Sequence, residues 1–309
     1  MTIAVIDIGT NTVLLLVAKF DNHGNITPLM YEQRVPRLGK GVDAEKRLQS
    51  AAMDRVIEAL LDYRKLLHRF ELGGTIVCGT SAVRDAANRA EFASRIHQST
   101  GFTLEILDGD AEALWTYRGA ISGIPGVERA TVVDIGGGST EITVGARQIV
   151  DRKISLDIGS VRLTERLFKH DPPTAGELEN AIEVVEDELA KARSFDFAET
   201  VLVGVAGTAT TLAILSQGLQ EFNIAAVINY HLKKETANNL FRTLCVLGSQ
   251  QILGLSTVLE GRSDVIIAGA LILREVMEHF KFEEMIVSER GVRYGLAIRE
   301  RESLLAKST

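Results

Sequence analysis

Short apolar runs bounded by glycine and polar turns alternate along this chain with stretches in which apolar residues recur at three- and four-residue steps. The first pattern predicts buried strands and the second amphipathic helices. Val5 to Ile8 and Val13 to Val17 predict a hairpin, Ile26 to Gln33 a third strand, and Ala51, Val56, Ala59, Leu60, Tyr63 and Leu67 mark a helix from Ser50 to Phe70. Strands at Thr75 to Cys78 and Thr103 to Leu107 each run into a polar turn and a helix. Ser122-Gly123-Ile124-Pro125-Gly126 breaks the pattern and places a boundary between domains 1–124 and 125–309.

The second half repeats the plan. A hairpin around Val133 to Thr143 is followed by a strand at Ile149 to Leu156, a helix from Gly159 to Phe168, and a helix announced by Thr174 and Glu177 at capping-box spacing. Strand Val201 to Val205 runs into Ala206-Gly207-Thr208, helices are predicted over 233–247 and 263–279, a strand over 285–288, and a closing helix from Val292. The two hairpins share a form: an apolar strand, then Asp7-Ile8-Gly9-Thr10-Asn11-Thr12 in one and Asp134-Ile135-Gly136-Gly137-Gly138-Ser139-Thr140-Glu141 in the other. A hairpin used twice predicts two similar domains with a ligand held between their tips.

The second tip carries candidate chemistry. Without Cβ atoms, the amides of Gly136, Gly137 and Gly138 can turn toward an anion. Asp134 and Glu141 would repel a phosphate but could hold a divalent cation that bridges to it. The bland alternative is a glycine-rich turn and nothing more. Other positions leave two readings open. Arg84 could fork onto phosphate oxygens or pair with a nearby acid. Glu112, in the first turn of its helix, could favour the helix dipole or take a proton from attacking water. The loop Arg34-Val35-Pro36-Arg37-Leu38-Gly39-Lys40-Gly41 is expected to be exposed and mobile, with Arg34, Arg37 and Lys40 either reaching over a polyanion or simply solvated. Gly207 and Thr208 open a helix whose amides suit an anion, or serve tight helix-on-strand packing. Arg262 could meet a ligand or pair with Asp264, and the segment Glu289-Arg290-Gly291-Val292-Arg293 is equally two-sided.

Composition narrows the setting. With 309 residues, 46% hydrophobic and 24% charged, the chain fits two globular domains. A net charge of −7 argues against nucleic acid as a partner. Cys78 and Cys245 stand far apart and no Cys-x-x-Cys occurs, so the expectation is a reducing cytoplasm and no zinc. The longest apolar run, Val265 to Leu273, is too short for a membrane span.

An ordered series of segments resembles the exopolyphosphatase and guanosine pentaphosphate phosphohydrolase (Ppx/GppA) family in a short two-domain form. It comprises D-I-G-T-N-T at Asp7, G-T-S-A-V-R at Gly79, D-G-D-A-E-A ending in Ala113, D-I-G-G-G-S-T-E at Asp134 and G-S-V-R-L-T-E at Gly159. A-G-T-A-T-T-L at Ala206, R-S-D-V-I-I-A-G-A at Arg262 and S-E-R-G-V-R-Y-G-L at Ser288 complete it. The resemblance implies an α/β fold of two actin-like, sugar-kinase-like (ribonuclease H-like) domains with mixed five-stranded sheets and an interdomain cleft, the last helix packing back on the first domain. It implies Glu112 as the catalytic glutamate, acting with Arg84, Asp134 and Glu141, and a metal, Mg²⁺ or Mn²⁺, on Asp134, Glu141 and Asp7, with room for a monovalent cation. Phosphate binding falls on Asn11, Thr12, Gly136, Gly137, Gly138, Ser139, Gly207, Thr208, Arg34, Arg37 and Arg262. The implied reaction is release of terminal phosphate from inorganic polyphosphate, with hydrolysis of pppGpp as a second activity, in a homodimer that contacts neither nucleic acid nor membrane. Two alternatives stand beside it: an ATP-dependent small-molecule kinase of the same superfold, and a non-catalytic phosphonucleotide sensor. The chain departs from the family's S-G-N-E-E-A pattern at Asp110 and Ala111.

Overall fold

The computed structural model describes residues 1–307 and divides the chain into two compact units. Unit 1 is Met1–Gly119 together with the chain from Val292 onward, and unit 2 is Ala120–Gly291. The last two positions of the expected second domain, 308 and 309, lie outside the described residues.

Unit 1 is built on β1 (Thr2–Ile8), β2 (Val13–Phe20), β3 (Ile26–Arg34), β4 (Gly74–Gly79) and β5 (Leu104–Ile106), in the order β3-β2-β1-β4-β5. The first three strands form an antiparallel meander, and β4 and β5 continue in parallel with β1. Because strand side chains alternate, β1 faces two cores. Ala4, Ile6 and Ile8 join Val56, Leu60, Tyr63, Phe92 and Ile96 from the helices Ser50–Leu67 and Arg89–Thr100. Ile3 and Val5 meet Cys78, Val292, Leu296 and Ala297, so the final helix, Val292–Ala306, covers the opposite face. Helices on both faces explain why β1 reads as a nearly unbroken apolar run. The final helix approaches its neighbour Gly109–Ile121 through Gly295, where a Cβ would lie 1.8 Å from the Trp115 carbonyl oxygen. Only glycine fits there.

Unit 2 repeats the plan with β6 (Arg129–Ile135), β7 (Thr140–Ala146), β8 (Ile149–Leu156), β9 (Val201–Val205) and β11 (Glu284–Val287). With β10 (Tyr230–Lys233) its sheet runs β10-β11-β9-β6-β7-β8, the unit 1 order plus one strand. The expectation of two five-stranded sheets is therefore corrected to five and six. The added strand, β10 (Tyr230–Lys233), pairs antiparallel with β11 and passes directly into the helix Lys234–Leu244. Being four residues long and fused to that helix, it leaves no turn signal in the sequence. The helices Ala175–Leu189, Ala206–Ser216, Lys234–Leu244 and Ile266–His279 bury one shared core. Thr174 and Glu177 form the predicted capping box. Among the described residues, no helix is long and apolar enough to cross a membrane.

Candidate active site

The duplicated sheets place Asp7 and Asp134 at equivalent positions, next to last in the first strand of each unit. Their neighbours differ. Across the unit 1 sheet the row reads Cys78, Asp7, Leu14, Gln33, and across the unit 2 sheet it reads Val205, Asp134, Glu141, Ser155. One scaffold thus carries a lone carboxylate in unit 1 and a facing pair in unit 2.

Asp7 is partly open at its edge yet ringed by protein. Burial pushes its carboxyl up to about 6, against the lowering field of Arg293 and a long hydrogen bond from the Cys78 thiol, Sγ to Oδ1 3.9 Å. Burial also raises the Cys78 thiol well above its usual range, and the negative fields of Asp7 and Glu112 add to it. The adjoining tip is closed by the Gly9 amide on the Thr12 carbonyl at 2.9 Å. The basic loop lies against this tip. The Arg37 amide donates to the Asn11 carbonyl at 3.0 Å and the Gly39 amide to the Thr10 carbonyl at 2.7 Å, while Arg55 donates to the Pro36 carbonyl. Pro36, Leu38 and Gly39 are buried, which corrects the expectation that this loop is exposed, while Arg34 and Lys40 are exposed. Arg34 folds back on its own strand, donating to Glu32 Oε2 at 3.0 Å and the Gln33 carbonyl at 2.9 Å, with its guanidinium 5.7 Å above the Tyr63 ring.

Glu112 and Arg84 come together. Asp108 caps the helix Gly109–Ile121 by accepting from the Ala111 amide at 2.7 Å, which sets Glu112 in the first turn. Arg84 Nη1 donates to Glu112 Oε2 at 2.8 Å and to the Leu107 carbonyl at 3.1 Å. The Glu112 side chain is 9% exposed and that of Arg84 22%, so the pair is largely desolvated and its geometry tightly held. Of the two readings of Arg84, the structure shows the pairing with an acid, and that acid is the candidate base.

In unit 2 the glycine tip is braced from behind. The Gly136 amide closes the turn on the Ser139 carbonyl at 3.0 Å. The Gly136 and Gly137 carbonyls accept from the first amides of the helix Ser160–Leu167: Ser160 to Gly136 at 2.9 Å, and Val161 and Arg162 to Gly137 at 2.8 and 3.0 Å. This close approach needs Gly159, whose Cβ would lie 2.5 Å from the Gly137 oxygen. With the carbonyls turned to that helix, the Gly137 and Gly138 amides donate to no backbone carbonyl among the described residues. That is the arrangement of an anion cradle. Ser139 is buried beside it, and Thr140 Oγ1 donates to the Ile158 carbonyl at 2.7 Å.

Gly207 and Thr208 open the helix Ala206–Ser216 directly at the end of β9, with Ala206 in the left-handed region at φ 64°. Thr208 Oγ1 donates to the Ile135 carbonyl at 3.1 Å, tying this turn to the base of the hairpin tip. Arg262 is half-buried, its Nε shut off from solvent. Its Nη1 donates to the Gly207 carbonyl at 3.1 Å and to Thr211 Oγ1 at 3.0 Å, bracing the turn from below. Burial pushes its guanidinium down from the usual value.

Asp134 and Glu141 are direct cross-strand partners, 8% and 2% exposed. Two carboxylates facing each other in a buried antiparallel pair repel, and a hard cation between them offsets that cost. Ser155 Oγ donates to Glu141 Oε1 at 2.7 Å and orients it. The donor set fits a small hard ion that keeps several waters. Among the described residues no group of three or more His, Cys, Asp or Glu side chains is placed to hold a metal, so protein ligands alone would not fill a coordination shell. Ser155 and Gly159 are absent from the sequence-derived candidates. Ser155 becomes visible only once the β7–β8 register is known, while Gly159 opens one of the recognised segments.

The profile of the Ppx/GppA phosphatase family matches residues 16–304. Exopolyphosphatase 2 of Mycobacterium tuberculosis is 36% identical over 96% of this chain and 97% of its own length. A guanosine-5'-triphosphate,3'-diphosphate pyrophosphatase of Vibrio atlanticus is 30% identical over 95% of the chain, which spans 58% of that protein. A bifunctional 3-dehydroquinate synthase/phosphatase of Fusobacterium nucleatum is 34% identical over 93% of the chain, which spans 44% of that protein. Among solved structures, a Ppx/GppA family member of Aquifex aeolicus aligns with a TM-score of 0.83 at 32% identity, covering 98% of both chains. An exopolyphosphatase of Cytophaga hutchinsonii aligns with a TM-score of 0.90 at 27% identity, covering 98% of both. With the doubled sheet, the braced glycine tip and the match along nearly its whole length, this chain belongs to the Ppx/GppA phosphatase family.

Proposed function

We propose that the protein is an exopolyphosphatase that releases terminal orthophosphate from inorganic polyphosphate by water attack, and that it also converts pppGpp to ppGpp. The observation that carries this reading is the buried Arg84–Glu112 pair, a fixed carboxylate in a phosphatase-family chain whose glycine tip offers unengaged amides. Phosphoryl transfer to water needs a positioned nucleophile and charge relief on the phosphoryl oxygens, and no covalent intermediate. Glu112 orients the water and accepts its proton, while Arg84 holds the carboxylate by Oε2. The amides of Gly137 and Gly138 receive phosphoryl oxygens. Asp134 and Glu141 would hold Mg²⁺, which as a Lewis acid relieves phosphoryl charge. Arg37 and Lys40 suit the following phosphates of a chain substrate. A cytoplasmic homodimer acting on these small polyanions is part of the same proposal.

The test is phosphate release from long-chain polyphosphate and from pppGpp, measured side by side for wild type and Glu112→Gln. Release from either substrate by wild type, lost in the variant, supports the reading. Full activity in Glu112→Gln sinks the assignment of the base. ADP formation that depends on a small acceptor would favour a kinase, and tight binding without turnover under any metal a sensor.

A further inference from the structure

Arg293 is the second residue of the helix Val292–Ala306 and is half-buried on the same side of the unit 1 sheet as Asp7. Its guanidinium carbon lies 5.5 Å over the Tyr31 ring, and that ring is itself fixed by the meeting of the Tyr31 and Tyr294 hydroxyls. Stacking holds a guanidinium by its face and leaves its N–H edge to make hydrogen bonds. Here none is made within the protein: among the described residues, Arg293 has no hydrogen bond and no carboxylate within 4.0 Å.

Three other partly buried arginines of unit 1 contrast with it, whereas Arg301, stacked over the Phe20 ring, shares its lack of an ion pair. Arg84 is engaged by Glu112, Arg118 by Glu302 and Arg299 by Glu105. Holding a guanidinium half out of water with its donors unmatched costs free energy unless something else receives them. The group is close enough to Asp7 for its positive field to act there. That field reaches one of the two aspartates that the doubled fold places equivalently, while the contact that fixes the guanidinium is the Tyr31 ring.

We propose that Arg293 is a substrate-binding residue, its N–H edge receiving an oxyanion of the substrate next to the β1 tip while Tyr31 holds the guanidinium flat. The ligand chemistry is a phosphate group. Inorganic polyphosphate and guanosine pentaphosphate both present one, and the assay separates them. The proposal rests on the phosphatase reading for its substrate, and on the geometry of Arg293 for its location.

Steady-state kinetics on each substrate would compare wild type with Arg293→Ala and Arg293→Lys, alongside calorimetric binding of tripolyphosphate to the same proteins. Loss of a charge-assisted fork predicts that KM and the tripolyphosphate Kd rise about ten- to a hundredfold in Arg293→Ala, with kcat within about threefold. Arg293→Lys, which keeps charge but loses fork and stack, is expected to fall between, and it carries the test where the alanine variant does not fold. A KM rise on one substrate alone assigns the oxyanion to that substrate. Unchanged KM and Kd in a natively melting variant would overturn the proposal, as would a loss confined to kcat, which would make Arg293 a support for Asp7. Should wild type hydrolyse neither substrate, the phosphatase reading fails, and the tripolyphosphate titration still decides on Arg293.

Discussion

Arg84 Nη1 and Glu112 Oε2 are joined at 2.8 Å across 28 positions of sequence, and the same guanidinium is anchored to the Leu107 carbonyl just before the Glu112 helix begins. Orientation of the candidate base is therefore set by a second side chain. The two residues are expected to act as one unit. Glu112→Gln should lower kcat by about 10²–10⁴-fold, Arg84→Ala by a comparable factor, and the double variant by little more than the worse single. Multiplying losses in the double variant would show independent roles.

Asp134 and Glu141 face each other directly, so removing one charge should act in opposite directions on metal binding and on metal-free stability. Asp134→Asn is expected to raise the Mg²⁺ concentration for half-maximal activity by at least about tenfold. With chelator present, the same variant should melt higher than wild type, by the equivalent of a few tenths to about 1 kcal/mol, because a like-charge cross-strand pair has been relieved. A lower chelated melting temperature would show that Asp134 is needed by the fold itself.

Gly159→Ala places a methyl 2.5 Å from the Gly137 carbonyl oxygen, and the obstacle is backbone, which cannot swing away. The helix Ser160–Leu167 must then withdraw from the tip it braces. Destabilisation of about 1–3 kcal/mol in denaturant melts is expected, together with a higher KM, since the Gly137 and Gly138 amides lose their fixed direction. Native stability and KM in this variant would be incompatible with the bracing described.

Burial raises the Asp7 carboxyl from its ordinary 3.8 to about 6 in the folded chain. The folded state thus holds the proton more tightly than the unfolded state does. The associated stability is fully present below about pH 4 and is lost as pH rises through 6. With metal chelated, Asp7→Asn should exceed wild type at pH 8 by on the order of 2–3 kcal/mol, a gap that closes as pH falls from 6 toward 4. Thermal melts of both proteins across that range check it; a gap independent of pH would place the cost elsewhere.

Much of this was legible in the residues because strand-turn-helix units write themselves locally. Asp7-Ile8-Gly9 and Asp134-Ile135-Gly136 announced the doubled sheet, and Thr174 with Glu177 fixed a helix start. Glu112 and Arg84 could each be placed in a first helical turn, but their pairing depends on how β4 and β5 lie side by side. Pattern reading failed where the information is tertiary. The Pro36–Gly39 segment looks like solvent-exposed loop by composition, yet Leu38 is fully buried because the hairpin tip offers carbonyls for its neighbours' amides. Nor does any local signal bring Arg293 to the Tyr31 ring from the far end of the chain.

The final helix supplies Val292, Leu296 and Ala297 to the face of the first sheet formed by Ile3, Val5 and Cys78, and all of unit 2 lies between them in sequence. A ribosome therefore delivers one half of this core before unit 2 and the other only after it. Unit 2, being contiguous, can complete its fold while unit 1 still lacks its covering helix, so the nascent first sheet must keep an apolar face unburied until translation has passed Ala297.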